Sequence, residues 1–388
     1  MDLSLFSITF DDREIEEVID CLRSGQVTMG AKSRAFEAAF AEYCGARHAV
    51  FVNSGSSANL LAWFALTNPT WKAPFAPGFE VIVPAVAWST TIWPIVQAGG
   101  MPVLVDCDPT DLTIDISAVE AAISDMTVAV CPVHPLGNVC HMAALTDLCE
   151  RHGLVLVEDT CEALGSRYDG TLAGRFGLMG TYSFYFSHHI TTVEGGMIIT
   201  DDDELANLLR ILRSHGWSRQ EQAANEVPFD QRYRFVTSGF NVRPSDINAA
   251  FGLHQLSKLD FFNAQRIEAT ESLLTSLAPH IEAERLIHMR IDSKVEAAYF
   301  GFPVLCRNRK ERDALADYLE DNGIETRPII CGNMARQPAM EHVPHRIFGK
   351  LDGADAVMDR GLYWGTHPNF KDAEIEYITK VVGDFAWQ

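Results

Sequence analysis

Positive charge is scarce in this chain. Its 388 residues hold 31 Lys and Arg against 52 Asp and Glu, a formal net charge of −21. Such a surface repels nucleic acid and anionic membranes, so neither is expected as a partner, and an anionic ligand needs a local basic pocket. No apolar stretch reaches the ~20 residues that a membrane helix needs. Residues 1–12 carry no basic segment followed by an apolar one, so a secretory leader is not expected and a cytoplasmic location follows by default. The nine cysteines include no Cys-x-x-Cys pair and read as reduced thiols that fill the core. No internal repeat or low-complexity tract interrupts the chain. Lysine is absent from the whole stretch between Lys72 and Lys258.

What is present describes a folded protein: 47% of residues are hydrophobic and 21% charged. In the first two thirds, short apolar runs at 48–53, 80–84, 102–106, 128–133, 154–158, 181–185 and 197–200 predict strands. Helical patterns at 32–43, 58–66, 142–151 and 204–213 lie between them. This alternation predicts an α/β domain, a mostly parallel sheet covered by helices. Beyond residue 255 the texture shifts to a helix at 253–274, a strand at 298–305, a helix at 309–322, an extended 324–330 and a last helix at 372–385. The expected organisation is therefore a large domain, 1–255, and a smaller C-terminal α+β domain, 256–388. Residues 220–230 are polar and weakly patterned, as a surface loop would be.

Two strand ends carry candidate chemistry. The run at 48–53 leads into Ser54-Gly55-Ser56-Ser57 and then a helix. Free N–H groups at a helix start, with small hydroxyl residues and a glycine, suit a phosphate. An ordinary serine N-cap reads the same way. Val155-Leu156-Val157-Glu158-Asp159 ends a buried strand in two acids. Asp159 there could face a cationic ring nitrogen of a cofactor, or cap a helix opened by Thr160-Cys161-Glu162.

Read together with Ser183-Phe184, Glu194-Gly195-Gly196, Gly239-Phe240-Asn241-Val242-Arg243-Pro244 and Gly361-Leu362-Tyr363, these pieces resemble the DegT/DnrJ sugar aminotransferase family. That resemblance spans nearly the whole chain and implies the fold type I architecture of pyridoxal-phosphate enzymes. In the family, a lysine that bonds the cofactor covalently stands where this chain has His188, within Ser187-His188-His189-Ile190. Histidine there resembles the family's dehydratase branch, as do Trp88 within Pro84–Thr90 and the His215–Arg219 segment. His188 as a satisfied core histidine is the competing reading.

An imidazole can remove a proton but forms no stable Schiff base. The resemblance therefore implies pyridoxal 5'-phosphate working as its amine, pyridoxamine 5'-phosphate, held noncovalently, with His188 as the catalytic base. The implied reaction is 3-dehydration of a nucleotide-linked 4-keto-6-deoxyhexose, with GDP-4-keto-6-deoxy-D-mannose favoured, as in colitose formation for lipopolysaccharide O-antigen. L-glutamate is the implied donor that restores the amine. An iron–sulfur route with a partner reductase is not expected, because only Cys306 and Cys331 lie beyond residue 161, and no metal site is expected.

By the same resemblance Gly55, Ser56, Ser57 and Ser183 hold the cofactor phosphate, Trp88 stacks on the ring and Asp159 meets its nitrogen. Glu162 lies beside the ring or is only a helix first-turn acid. Asn241 and Arg243 match a segment that reaches a neighbouring subunit's site, which implies a homodimer with shared active sites. Arg210, Arg213, Arg219, Arg232, Arg234 and Arg243 concentrate positive charge in one stretch, as a diphosphate substrate would need, although exposed arginines of helices and loops look the same. Arg219, His215, Arg243 and Arg327 are the candidate substrate contacts. An aminotransferase that tolerates histidine and a non-catalytic cofactor-binding regulator are the alternative readings. His189 reads as a structural neighbour of His188.

Overall fold

A computed structural model describes residues 1–218, 228–229 and 232–387. The expected loop at 220–230 lies almost wholly outside the described residues. The centre is an eight-stranded sheet in the order His48–Val52, Gly196–Thr200, Met179–Ser183, Val155–Asp159, Thr127–Val130, Glu80–Pro84, Met101–Val105 and Arg346–Ile347. Only Gly196–Thr200 is antiparallel to its neighbours; the rest share one direction. The inner strands are runs of Val, Ile and Leu because both of their faces are covered.

Helix Gly55–Leu66 follows the first strand directly. It is apolar nearly all round, since it lies inside the main core with Leu61, Ala62 and Trp63 buried. Helix Ser89–Gln97 packs beside it. A second core forms between a four-stranded antiparallel sheet and helices Arg309–Asp321 and Asp372–Asp384. Its strands run Leu286–His288, Gly301–Cys306, Gly361–Gly365 and Thr326–Arg327.

The 37-residue helix Asp246–Glu282 joins the two regions, capped by Ser245, whose Oγ accepts from Asn248 N. Ala249, Leu259 and Phe262 belong to a core beside the large sheet, whereas Ala269, Leu273 and Leu277 belong to the small one. Residue 255, the expected division, thus falls within one continuous helix. Two further segments cross between the regions: Leu3 bridges to Ile324, and the strand Arg346–Ile347 extends the large sheet. Among the described residues, no helix is long and apolar enough to cross a membrane.

Candidate active site

The parallel strands deliver their carboxyl ends to one cavity of about 470 Å³. Ligands of open α/β sheets sit at that edge. The cavity is lined by Gly55 and Ser56 after the first strand, Trp88 after the second, Asp159 and Glu162 at the end of Val155–Asp159, and Ser183 and His188 at and beyond the end of Met179–Ser183. Phe300 and Tyr363 close it from the small region.

One end is built for an anion. Ser54 caps helix Gly55–Leu66: its Oγ accepts from Ser57 N at 3.1 Å and donates to Ser57 Oγ at 3.0 Å. The serine-cap reading therefore holds alongside the cradle. Ser57, committed to that cap, does not line the cavity, and Gly55 and Ser56 do. A Cβ on Gly55 would lie 2.6 Å from Ser183 Cβ, so only glycine lets the helix start touch the strand end. Ser56 Oγ donates to Thr90 Oγ1 at 3.0 Å.

The other end is built for a cation. Asp159 is buried; its Oδ2 accepts from Asn59 Nδ2 at 3.0 Å and Thr91 Oγ1 at 2.7 Å, and its Oδ1 from Cys161 N at 3.2 Å. Thr181 Oγ1 donates to Asn59 Oδ1 at 2.6 Å, which turns the amide nitrogen toward Asp159. No helix opens after Asp159, and none of these partners carries positive charge. A buried carboxylate with neutral donors only is suited to a protonated ring nitrogen.

His188 lines the same cavity, half-buried, its ring 5.2 Å from that of Phe300 and 6.4 Å from that of Tyr185. Its Nδ1 is buried without a hydrogen-bond partner. Burial, and then the charge of Arg266, hold the imidazole down to about 4, partly offset by the Cys161 backbone. Burial pushes Glu162 up to about 7, against the Leu136 N–H at 3.0 Å that favours its charged form and with the Asp159 charge adding to the rise. Trp88 is 56% exposed at the cavity wall, not a core residue. His189 is fully buried and bonds Ala298 O at 2.7 Å through Nε2, which must therefore carry the proton.

The remaining candidates lie off this cavity. Asn241 and Arg243 are exposed and bond each other at 3.2 Å. His215 is exposed in a left-handed backbone conformation, φ 64°. Arg327 is exposed and paired with Glu325 at 2.5 Å, opposite Tyr363 in the strand register. Arg219 lies outside the described residues. Arg213 is buried on Glu37 and Phe51 O, both at 2.5 Å, and serves the fold. Asn59, Thr91 and Phe300 join the site unforeseen. Asn59 had a local signal, one helical turn after Gly55; Phe300 had none.

The residues fit pyridoxal phosphate: an anion cradle that a Cβ would fill, a buried acid awaiting a cation, and an orphaned imidazole nitrogen in the same cavity. Sheet, cavity and small region together define a fold type I pyridoxal-phosphate enzyme. The chain belongs to the DegT/DnrJ/EryC1/StrS aminotransferase family, whose pattern matches residues 9–383. It is 38% identical over 375 residues to a GDP-4-keto-6-deoxy-D-mannose 3-dehydratase of Yersinia pseudotuberculosis, covering 94% of this chain and 93% of that one. It is 36% identical to the enzyme of that name from Escherichia coli O55:H7, covering 97% and 98%. A solved GDP-4-keto-6-deoxymannose-3-dehydratase with a trapped PLP-glutamate geminal diamine superposes with a TM-score of 0.91 at 34% identity, covering 98% of this chain and 100% of that one.

Proposed function

We propose that this chain is a nucleotide-sugar 3-dehydratase that uses pyridoxal/pyridoxamine 5'-phosphate. Its substrate is a nucleotide-linked 4-keto-6-deoxyhexose, GDP-4-keto-6-deoxy-D-mannose being the form that its relatives' names support. L-glutamate restores the amine form of the cofactor. One observation carries the reading: the described residues that line the cavity include a histidine, His188, and no lysine.

When bound, the cofactor supplies an electron sink that lets a C–O bond break at the sugar's C3. Gly55 and Ser56 bind its phosphate at the helix start, with Ser183 beside them. Trp88 covers the ring, and Asp159 holds the proton on the ring nitrogen. His188, neutral at physiological pH, accepts the proton at C4′. It then carries that proton to the departing C3 hydroxyl. Among the described lining residues no amine stands ready to tether the cofactor or to return a proton to sugar C4, so elimination outruns amination. Hydrolysis of the product releases ammonia and a 4-keto-3-deoxy sugar. Arg219, His215 and Arg327 remain substrate-contact candidates on the sequence reading alone, since His215 and Arg327 do not line this cavity.

We assign the enzyme to a homodimer with shared active sites in the cytoplasm. Tyr185, Phe186 and Val193 support the dimer: they are large, 46%, 41% and 55% exposed, with Tyr185 lining the cavity, Phe186 against Tyr185 and Val193 next to the lining residue Glu194. Asn241 and Arg243 would serve the neighbouring cavity, since they do not line their own. In the decisive test, a panel of nucleotide 4-keto sugars is incubated with glutamate and analysed by mass spectrometry. A product that has lost the C3 oxygen, with ammonia released, is expected. An amino-sugar product would make the chain an aminotransferase instead.

A further inference from the structure

Arg266 is 2% exposed on helix Asp246–Glu282, yet no carboxylate pairs with it among the described residues. Its Nη1 donates to Phe300 O at 3.1 Å and reaches Tyr299 O at 3.5 Å, and its Nε is buried without a partner. His189 Nε2 holds the preceding carbonyl, Ala298 O. Three successive carbonyls are thus gripped from one side. From the other side, Ala298 N donates to Ser166 Oγ at 2.9 Å and Phe300 N to Leu136 O at 3.1 Å. Gly137 approaches so closely that a Cβ there would lie 2.2 Å from Ala298 O. The segment so pinned presents the Phe300 ring to His188.

A buried cation is normally neutralised by a carboxylate. Leaving this one bare puts its charge on the neighbouring imidazoles. We propose that Arg266 is a positioning residue for His188: by holding the carbonyls of Tyr299 and Phe300 it fixes the Phe300 ring against the imidazole, and it brings an unpaired positive charge to the same wall. The idea rests on the dehydratase reading for its purpose, but its first test, on the cofactor-free chain, does not.

The ionisable groups around His188 are Arg266 and His189 on one side. Lining the same cavity are Asp159, Cys161, Glu162 and Glu194, with the phenols of Tyr185 and Tyr363. Arg266 is the charge that weighs on His188, after burial, and it also depresses His189 and His367. Burial lowers Arg266 itself to about 10, which leaves it charged at neutral pH.

The test is NMR titration of the His188 imidazole in the cofactor-free chain, assigned by its loss in His188→Asn. In the parent chain the ring should titrate near 4. In Arg266→Gln the midpoint should move upward, toward the ordinary histidine range, and in Arg266→Lys it should stay low. An unmoved midpoint in Arg266→Gln overturns the proposal, whatever reaction the enzyme catalyses. Should Arg266→Gln not fold, Arg266→Lys and Phe300→Leu decide on the loaded enzyme. Each should lose about tenfold in kcat with KM unchanged, because the support of the base has loosened. Parent kcat in both overturns the proposal. Failure of the dehydratase reading would show separately, as an amino-sugar product from the unaltered chain.

Discussion

Gly55→Ala tests the phosphate cradle by adding one methyl group. The new Cβ would stand 2.6 Å from Ser183 Cβ and 3.1 Å from Ser183 Cα. Neither atom is the tip of a flexible side chain, so the helix start or the strand end must shift. Overpacking of this kind costs about 1–3 kcal/mol. Alanine recovers at most ~1 kcal/mol through its helix preference, and less at a first turn. If the displacement falls on the cradle, cofactor affinity drops by roughly 5- to 150-fold. The assay is equilibrium binding of pyridoxal phosphate followed by absorbance, with Tm measured in parallel. Gly383→Ala is the control: it lies in the last turns of helix Asp372–Asp384 with nothing within 4 Å of the new Cβ. That change should leave cofactor binding alone and keep or slightly raise Tm. Parent affinity in Gly55→Ala would refute the claim that this contact shapes the phosphate site.

Three further outcomes follow from the same geometry. His188→Lys should form a borohydride-reducible bond to the cofactor and lose dehydration; retention of the original rate would remove His188 from its role. Asp159→Asn should lower kcat by about 100-fold or more, since the anion that holds the ring proton is gone, and a loss below threefold would contradict that role. The third outcome concerns pH. Burial holds His188, His288 and His367 at about 4, with Arg266 adding to the effect for the first and third. Unfolded histidines titrate near ~6.5, so the unfolded chain takes up protons first as the solution is acidified. This part of the stability is complete above that pH and is lost as pH falls toward 4. Tm should decline from pH 7 to 5, and a flat Tm over that range would show that these rings are not buried neutral.

The sheet was readable because its inner strands are near-continuous Val, Ile and Leu runs; six of the expected strands lie within two residues of the observed bounds, and the run at 128–133 ends as a strand at Val130. Helix Ser89–Gln97 was hidden by Thr90, Thr91 and an internal Pro94, all poor helix formers, and is held by tertiary packing. Helix Asp12–Ser24 carries a local start signal in the sequence: Asp11 and Glu14 form a capping box. The two-residue edge strand Arg346–Ile347 is too short to leave a periodic trace. In the site, the Gly55–Ser56 turn and Asp159 were legible because they follow strand ends, which sheet topology sends to one edge, whereas Trp88, Ser183 and His188 were legible through the family resemblance. Phe300 was not, because it reaches the cavity from an element more than 70 residues further along the chain, and only the packing of the small region brings it there; Tyr363 was legible only as part of a family motif, and Arg266, which holds Phe300 from behind, had no signal. Asn241, Arg243 and His215 show the converse: a family motif can be matched in sequence yet lie off the cavity of its own chain.

The most direct measurement follows the C4′ hydrogens of pyridoxamine phosphate in deuterated water, in the presence of a 4-keto nucleotide sugar. The unaltered chain should exchange one of the two, and His188→Asn should exchange neither while still binding the cofactor. Exchange at an undiminished rate in His188→Asn would mean that another group moves the proton, and the account of this site would have to be rebuilt around it.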